Sequence, residues 1–349
     1  MSVFSHSEFD GHERVVFHHD AASGLRAIIA VHSTRLGCGL GGCRMFPYAG
    51  DAEALTDVLR LSRGMSYKAA LAGLPQGGGK SVILGDPRRD KTPALIRAMG
   101  RFVDSLGGAY VVAEDSGTGV ADIRLMADHT RHVGGLADTA SIAAGRSGDP
   151  SPATALGTFI GIAAAVRFAL GRRDLRGLKV AIQGVGNVGY RLARHLHVAG
   201  AQLWVTDVHA PAVDRAVAEF GATAVAMDAI HALEVDVFAP CALGAVLNAQ
   251  SIPQIRAPVI AGAANNQLAT PADGQRLLDH GLLYAPDYVI NAGGIIDIHH
   301  ERIGYDASAV EAHLARIGDT LTAIFERART NRQPTGVIAD AMAEAIFRT

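Results

Sequence analysis

The sequence predicts an α/β protein of two domains, and three observations carry that prediction. Its 349 residues exceed what one ordinary hydrophobic core organises. Short β-rich runs alternate with helical periodicity through the first part of the chain. A small, polar tract between Gly134 and Pro152, with Gly145, Gly148 and Pro150, then marks a linker before a second strand-turn-helix series starts at Lys179. The domains expected are residues 1–145 and 146–332, with a C-terminal helix over 333–349 packing back on the first.

Taken in order, Leu25 to Val31 reads as a strand, and Asp51 and Glu53 open a helix whose apolar positions are Leu55, Val58, Leu59 and Met65. Val82 to Leu84 and Ala109 to Ala113 read as short buried strands. The second runs into Glu114-Asp115-Ser116-Gly117-Thr118-Gly119, which puts a carboxylate at a strand's carboxyl end, where open α/β sheets place their sites. Ser151-Pro152 reads as the cap and first turn of a helix through Leu170. The uncharged stretch Ser151 to Val166 is shorter than the roughly 20 residues a spanning helix needs, stops at Arg167, and reads as buried. Further buried strands fall at Asp236 to Phe238 and Val259-Ile260.

Composition narrows the function. A net charge of −2 gives no electrostatic reason for a nucleic-acid or anionic-membrane partner. Cys38, Cys43 and Cys241 form no CxxC pair and fit a reducing compartment as packing residues. Glu8, Asp10 and neighbouring histidines interrupt any apolar leader, so a cytoplasmic location is expected. No metal is expected either, because adjacent histidines at His18-His19 and His299-His300 point apart on a strand and lack a third ligand at a recognisable spacing.

Two motifs carry chemistry. In Met65 to Ser81, Lys68 precedes a second lysine, Lys80, which follows Gly77-Gly78-Gly79 on what reads as a glycine-rich bend. Desolvation and the nearby Lys68 ammonium would both push the Lys80 pKa down, towards a base near neutral pH. A phosphate loop does not fit, since Gly73 to Gly79-Lys80-Ser81 leaves one residue too many for the Walker A spacing. The second motif is the strand Val180 to Gln183, then Gly184-Val185-Gly186-Asn187-Val188-Gly189, an amphipathic stretch to Ala199, and the strand Leu203 to Thr206 ending at Asp207. This is the dinucleotide fingerprint in its proper context: the glycines let a pyrophosphate reach the helix N-terminus, and the acid accepts from a ribose hydroxyl. Asp207 would repel a 2′-phosphate, so the expected cofactor is NAD rather than NADP.

Taken together, Gly41-Gly42-Cys43-Arg44-Met45, the Lys68 to Lys80 run, Ala113-Glu114-Asp115 and Gly262-Ala263-Ala264-Asn265-Asn266 resemble the glutamate/leucine/phenylalanine/valine dehydrogenase family over nearly the whole chain. Within it the leucine dehydrogenases are most similar, judged from Gly73-Leu74, Gly77 to Pro87, Gln183 to Val188, Ala239 to Gly244 and Tyr284 to Gly294. The resemblance implies an N-terminal α/β substrate domain, a Rossmann dinucleotide-binding domain and a cleft between them. It implies NAD(P)-linked, reversible oxidative deamination of an L-amino acid to its 2-oxo acid by a homo-oligomer.

By the same resemblance, Lys68 holds the substrate carboxylate with the Gly41-Gly42 backbone, Lys80 is the base towards the water that attacks the imino carbon, and Asp115 handles the amino group's protons. Leu40, Ala113, Ile295 and Ile298 surround the substrate side chain, and Asn266 joins the substrate site. Thr154, the Gly184 to Gly189 loop, Asp207, Cys241, Ala242, Ala263 and Asn265 hold the cofactor. Glutamate dehydrogenases carry a lysine where this chain has Leu40 and a small hydroxyl residue where it has Ile298, so a glutamate carboxylate would be buried unpaired. Leucine, valine and isoleucine are the expected substrates, and Ile in places where Val is expected makes the pocket tighter. A methylene there is worth about 1–3 kcal/mol, too little to rank the three.

Several features depart from the family: Ser116 replaces an apolar residue, Asp297 and His299-His300 follow the Gly293-Gly294 pair, the linker before Asp149 is long, and the C-terminus is short. Arg44 and Met45 read as ion-pair and packing residues. Two other functions fit parts of the sequence. A phenylalanine dehydrogenase would differ only in pocket shape, and a non-catalytic NAD-binding regulator would not need Lys68, Lys80 and Asp115 together.

Overall fold

The computed structural model describes residues 2–136, 148–242 and 244–348. Two compact units emerge: Met1–Asp149 with Ile298–Tyr305 and Ala343–Thr349, and Pro150–Asp297 with Asp306–Met342. The boundary thus falls at Asp149/Pro150, whereas the one expected after Gly145, with most of the linker around it, lies outside the described residues.

The first unit is built on a five-stranded sheet, with strands β1 (Arg14–Asp20), β2 (Leu25–Ser33), β3 (Gly39–Phe46), β4 (Gly77–Leu84) and β5 (Tyr110–Glu114) in the order β1-β2-β4-β3-β5. β1, β2 and β4 pair antiparallel, and β3 runs parallel to both β4 and β5. Helix α1 (Asp51–Leu71) packs on one face against Ile28, Ala30 and Val82 through Val58 and Leu59. Helices α2 (Pro93–Asp104) and α3 (Val120–Ala127) cover the other, where Ile29, Val31, Met45 and Ile83 meet Met99, Phe102 and Ile123. Alternate residues of β2 therefore bury on opposite faces, which makes it a continuous apolar run rather than an alternating one.

Here the structure corrects the sequence reading. Gly77-Gly78-Gly79 is not a bend; it opens β4, an inner strand. Glycine costs a strand conformational entropy, but at these positions a side chain has no room. A Cβ on Gly77 would lie 1.9 Å from the Ser33 carbonyl oxygen, and one on Gly78 would lie 2.2 Å from the Ser66 backbone nitrogen.

The second unit opens with α4 (Ser151–Leu170). Its sheet contains β6 (Lys179–Gln183), β7 (Gln202–Thr206), β8 (Thr223–Ala224), β9 (Val237–Pro240), β10 (Val259–Ile260) and β11 (Leu283–Tyr284), in the order β11-β10-β9-β6-β7-β8. All its pairs are parallel, and read from β8 the order is that of a dinucleotide-binding doubly wound sheet. Helices α5 (Asn187–Val198), α6 (Ala210–Phe220), α7 (Ala272–Asp279), α8 (Asp287–Ile290), α9 (Gly293–Ile303), α10 (Ala307–Asn331) and α11 (Thr335–Phe347) complete the chain.

Helix α4 begins one residue before the expected first turn: Pro150 occupies the cap position, Ser151 is already helical, and no side chain caps the end. Its 20 residues are long and apolar enough to cross a membrane, unlike the shorter stretch expected. The helix packs closely within the unit, because a Cβ on Gly161 would lie 2.4 Å from the Ile290 side chain and one on Gly157 2.7 Å from Ile317. The C-terminal helix also differs from expectation. Only its last turn belongs to the first unit, where Tyr67 donates to Glu344 at 2.5 Å and Arg348 donates to Asp10 at 2.6 Å.

Candidate active site

In the first unit the glycines decide how closely charged side chains approach. A Cβ on Gly41 would lie 1.8 Å from the Gly79 carbonyl oxygen, and one on Gly42 would lie 2.6 Å from the Asp115 Cβ. β3 is thus pressed between β4 and β5, and the residue after β5 comes close to β4. Lys80, in the middle of β4, is only 7% exposed, and its Nζ lies 2.5 Å from Asp115 Oδ2.

The turn that carries Asp115 is fixed by its backbone. Thr118 N–H donates to the Asp115 carbonyl at 2.9 Å, the Thr118 hydroxyl donates to the Cys43 carbonyl at 2.7 Å, and Met45 N–H donates to the Ser116 carbonyl at 2.9 Å. Gly117 sits at φ 84°, where only glycine is comfortable, with its α-carbon against the Met45 carbonyl. Ser116, the departure noted in sequence, is exposed and contributes here through its backbone.

Two cations share Asp115. Arg44 Nε lies 3.4 Å from the same Oδ2 that meets Lys80, and Arg44 Nη1 lies 3.0 Å from Asp57 on α1, which also accepts from the Tyr48 hydroxyl at 2.6 Å. Burial pushes the Asp115 carboxyl up, but Lys80 and then Arg44 outweigh it and hold the group at about 2. The charge in contact with Lys80 is therefore an anion, which favours the charged form of the lysine. Lys68 lies in the last turn of α1 and is half-buried.

The residues expected around the substrate side chain are divided between the units. Leu40 (1% exposed) and Ala113 are buried in β3 and β5, and Ile298 on α9 packs its Cγ2 3.0 Å from where a Cβ on Gly134 would be. These three belong to the first unit with Gly41, Gly42 and Lys68, whereas Ile295, also buried, and the exposed Asn266 belong to the second. His299 and His300 ride on α9 rather than on a strand, with ring centroids 5.6 Å apart.

In the second unit the three fingerprint glycines differ in surroundings. Gly184 takes φ 102° at the end of β6, and its α-carbon faces Ala242, whose Cβ would lie 2.7 Å from a Cβ there. A Cβ on Gly189 would lie 1.9 Å from the Gly184 carbonyl, so this glycine seats α5 on the loop. Gly186, next to Asn187 and Val188 at the start of α5, would meet nothing within 4 Å. A dinucleotide fits this arrangement: one glycine makes the turn, one packs the helix, and the middle one leaves open space over a helix N-terminus that favours a pyrophosphate.

Asp207 follows β7. Its Oδ2 accepts from Val185 N–H at 2.8 Å and its Oδ1 from His209 N–H at 2.9 Å, so it braces the glycine loop while each oxygen keeps a lone pair. Thr154 donates from its hydroxyl to the Pro150 carbonyl at 3.0 Å. Burial pushes the Cys241 thiol up to about 12, which makes it a neutral packing group beside Gly189. Asn265 accepts at 2.7 Å from Asn291, which also donates to the Ala263 carbonyl at 3.1 Å.

Two residues gained significance only in three dimensions. Asn291 has no role by the resemblance, and in the fold it ties together the loop that carries Ala263 and Asn265. Arg44 forms the ion pairs expected of it, and one of its partners is Asp115, which no spacing in the sequence reports. Among the described residues no cluster of histidine, cysteine or acidic side chains is arranged to hold a metal ion.

Known proteins share this layout. The pattern of the "Glu/Leu/Phe/Val dehydrogenase, dimerisation domain" matches residues 12–132, and that of "Glutamate/Leucine/Phenylalanine/Valine dehydrogenase" matches residues 206–346. A leucine dehydrogenase of Geobacillus stearothermophilus is 50% identical over 100% of this chain and 94% of its own length. A valine dehydrogenase of Streptomyces virginiae is 47% identical over 99% of this chain and 96% of its own. The crystal structure of L-tryptophan dehydrogenase from Nostoc punctiforme superimposes with a TM-score of 0.82 at 45% identity, covering 97% of this chain and 96% of that one.

Proposed function

The chain belongs to the glutamate/leucine/phenylalanine/valine dehydrogenase family, and on that premise we propose that it deaminates leucine, valine or isoleucine oxidatively and reversibly, with NAD, to the 2-oxo acid and ammonia. The observation that carries the reading is the buried Lys80–Asp115 pair beside the Gly41-Gly42 backbone, with apolar Leu40 on the strand of the glycines and Ala113 on the strand that leads into Asp115.

The residues divide the work. Lys68 and the Gly41-Gly42 backbone bind the substrate carboxylate. Asp115, an acceptor in its ionised state, takes a proton from the substrate ammonium so that the nitrogen lone pair can form the imine. The Gly184 to Gly189 loop would hold a dinucleotide by its pyrophosphate, and the bound cofactor's nicotinamide would supply the acceptor for the hydride leaving the α-carbon. Lys80, in its neutral amine form once it has left Asp115, then takes a proton from the water that adds to the imino carbon and returns one to the departing ammonia. The balance is amino acid, water and oxidised cofactor on one side, and 2-oxo acid, ammonium, reduced cofactor and a proton on the other.

Leu40 and Ile298 offer no partner to a side-chain carboxylate, and burying one unpaired costs several kcal/mol in practice, so glutamate is a poor substrate. NAD is the preferred cofactor because Asp207 stands at the end of β7 and Val208-His209-Ala210 supplies no arginine for a 2′-phosphate. The dimerisation-domain match supports a homo-oligomer, and three free cysteines suit the cytoplasm.

One screen tests the reading: NADH formation from each L-amino acid at alkaline pH, with NAD and NADP in parallel. The aliphatic branched substrates are expected to lead. Glutamate rivalling leucine would contradict the pocket assignment, phenylalanine or tryptophan outrunning every aliphatic substrate would replace it with an aromatic one, and no turnover at all would favour a non-catalytic NAD-binding protein.

A further inference from the structure

Arg44 has no part in the chemistry described above, yet its side chain is placed as if it had one. It is 19% exposed and spans from Asp57, with Nη1 3.0 and 3.3 Å from the two carboxylate oxygens, to Asp115, with Nε 3.4 Å from Oδ2. The first is a pair of hydrogen bonds. The second is a longer ion pair, and Arg44 Nε is buried without a hydrogen-bond acceptor among the described residues. The Asp115 backbone does not need this contact, since Thr118 and Met45 already fix its turn. What Arg44 touches is the carboxylate alone.

The two cations converge on one oxygen. While Lys80 Nζ is 2.5 Å away, Arg44 is the more distant partner. When Lys80 turns to water or substrate, a buried carboxylate left without a cation would take up a proton and cease to be an acceptor. The unspent Arg44 N–H can close the remaining gap. We propose that Arg44, anchored by Asp57, is a positioning residue that takes over Asp115 when Lys80 leaves it and so keeps the carboxylate ionised until it accepts the substrate's proton. The inference rests on the reading that Asp115 accepts the substrate's proton.

The other titratable groups around Asp115 do not supply that charge. Cys43 on β3 is pushed up to about 12, and Tyr110 on β5 well above its ordinary value, both by burial, so both are neutral. Glu114 on β5 is raised by burial and by Asp149, and it adds only a like charge. Around Arg44, burial and then Asp57 push the Tyr48 hydroxyl up, so it stays a neutral donor to Asp57.

The test is a double-mutant cycle on the full-length enzyme with leucine and NAD. Arg44→Gln and Arg44→Lys are each made in the parent and in Asp115→Asn. Arg44→Gln is expected to lower kcat by roughly 10–100-fold, part of the usual range for proton-transfer catalysis, while KM changes by less than about threefold. Its kcat/KM should also gain an acid limb about one pH unit or more above the parent's, because loss of a cation raises a carboxyl pKa. Arg44→Lys should recover part of both. In Asp115→Asn the same substitution should cost less than about threefold, since two residues acting through one contact are not additive.

Equal losses in both backgrounds, an unmoved acid limb, or a rise in KM with kcat unchanged would overturn the proposal. If Arg44→Gln does not fold, Asp57→Asn removes only the anchor, and the same acid-limb shift, smaller, is expected there; its absence would count equally against Arg44. A parent without turnover would overturn the catalytic reading and this inference with it. Normal parent turnover with an indifferent Arg44 would overturn only the inference.

Discussion

Glycine does opposite things in the two units. In the first, Gly41, Gly42, Gly77 and Gly78 are filled against: a Cβ at Gly41, Gly77 or Gly78 would overlap backbone atoms at 1.8 to 2.2 Å, and one at Gly42 would lie 2.6 Å from the Glu114 carbonyl and the Asp115 Cβ. In the second, Gly184 and Gly189 are also filled, but Gly186 faces nothing within 4 Å. The first arrangement brings protein atoms together until Lys80 meets Asp115. The second keeps protein atoms apart over the start of α5. A glycine cluster beside chemistry therefore does not by itself mean ligand space, and the neighbours of its absent side chain decide which it is.

The sharpest way to break that contrast is to add one methyl group in each place. Gly41→Ala forces β3 away from β4, and we expect at least about 3 kcal/mol of destabilisation, the upper end of ordinary overpacking. That corresponds to a thermal midpoint lower by roughly 6–12 °C, or to insoluble protein. Gly186→Ala should leave the midpoint within about 2 °C, since the residue is in the extended region and the methyl meets no protein atom, while dinucleotide affinity falls about tenfold or more. Calorimetry and dinucleotide titration of both variants suffice. A Gly186→Ala protein with unchanged affinity, or a Gly41→Ala protein as stable as the parent, would erase the distinction.

Lys80→Ala separates the units chemically rather than sterically. Turnover should fall by roughly 10²–10⁴, the usual loss for a general base, while dinucleotide binding stays within a few-fold because the Gly184 to Gly189 loop lies in the other unit. Near-normal turnover would reduce Lys80 to a structural partner of Asp115.

The same contrast explains what could be read in advance. β6, the glycine loop, α5 and β7 were legible because their strands are apolar, the helix is amphipathic, and a terminal acid completes a pattern with few alternatives. β3 and the start of β4 were not, because glycine offers no alternation of side chains, and a strand without alternation looks like a bend. Edge strand β1 was hidden for a related reason: it has no fully buried position, so its sequence carries no apolar period. Lys80 and Asp115 were legible as separate motifs. That Asp115 pairs with Arg44 as well, and Arg44 with Asp57, depends on three elements meeting, which no local spacing reports.

Acid should act on the first unit more than on the second, where Gln267, Asn291 and Asp273 are buried but, among the described residues, no histidine is buried as His12 is. His12 is buried with Nε2 3.0 Å from the Leu59 carbonyl, and burial lowers its pKa from 6.5 to about 4. Below pH 6.5 the unfolded chain binds this proton before the folded one does, so stability falls as pH drops from 6.5 through 4. The full effect is on the order of 3 kcal/mol. Asp115, depressed from 3.8 to about 2, adds a second loss only as pH falls through that lower interval. Hydrogen exchange at pH 7 and 5 should show the first unit opening more easily at the lower pH, and His12→Gln should flatten the slope between 6.5 and 4. An unchanged slope would place the acid sensitivity elsewhere.

The smallest effect concerns cofactor choice, and the structure complicates the variant that tests it. Asp207 carries charge that disfavours a 2′-phosphate, but it also holds Val185 N–H and His209 N–H, so Asp207→Ser removes a brace as well as a charge. A serine hydroxyl can reach one of those donors, not both. Affinity for NAD should therefore fall modestly, and the informative quantity is the ratio of kcat/KM for NAD to that for NADP, in which loop loosening largely cancels. That ratio should narrow by about tenfold in Asp207→Ser and further when His209→Arg supplies a guanidinium for the phosphate. A parent that uses both cofactors equally, or a ratio untouched by Asp207→Ser, would leave Asp207 with its bracing role alone.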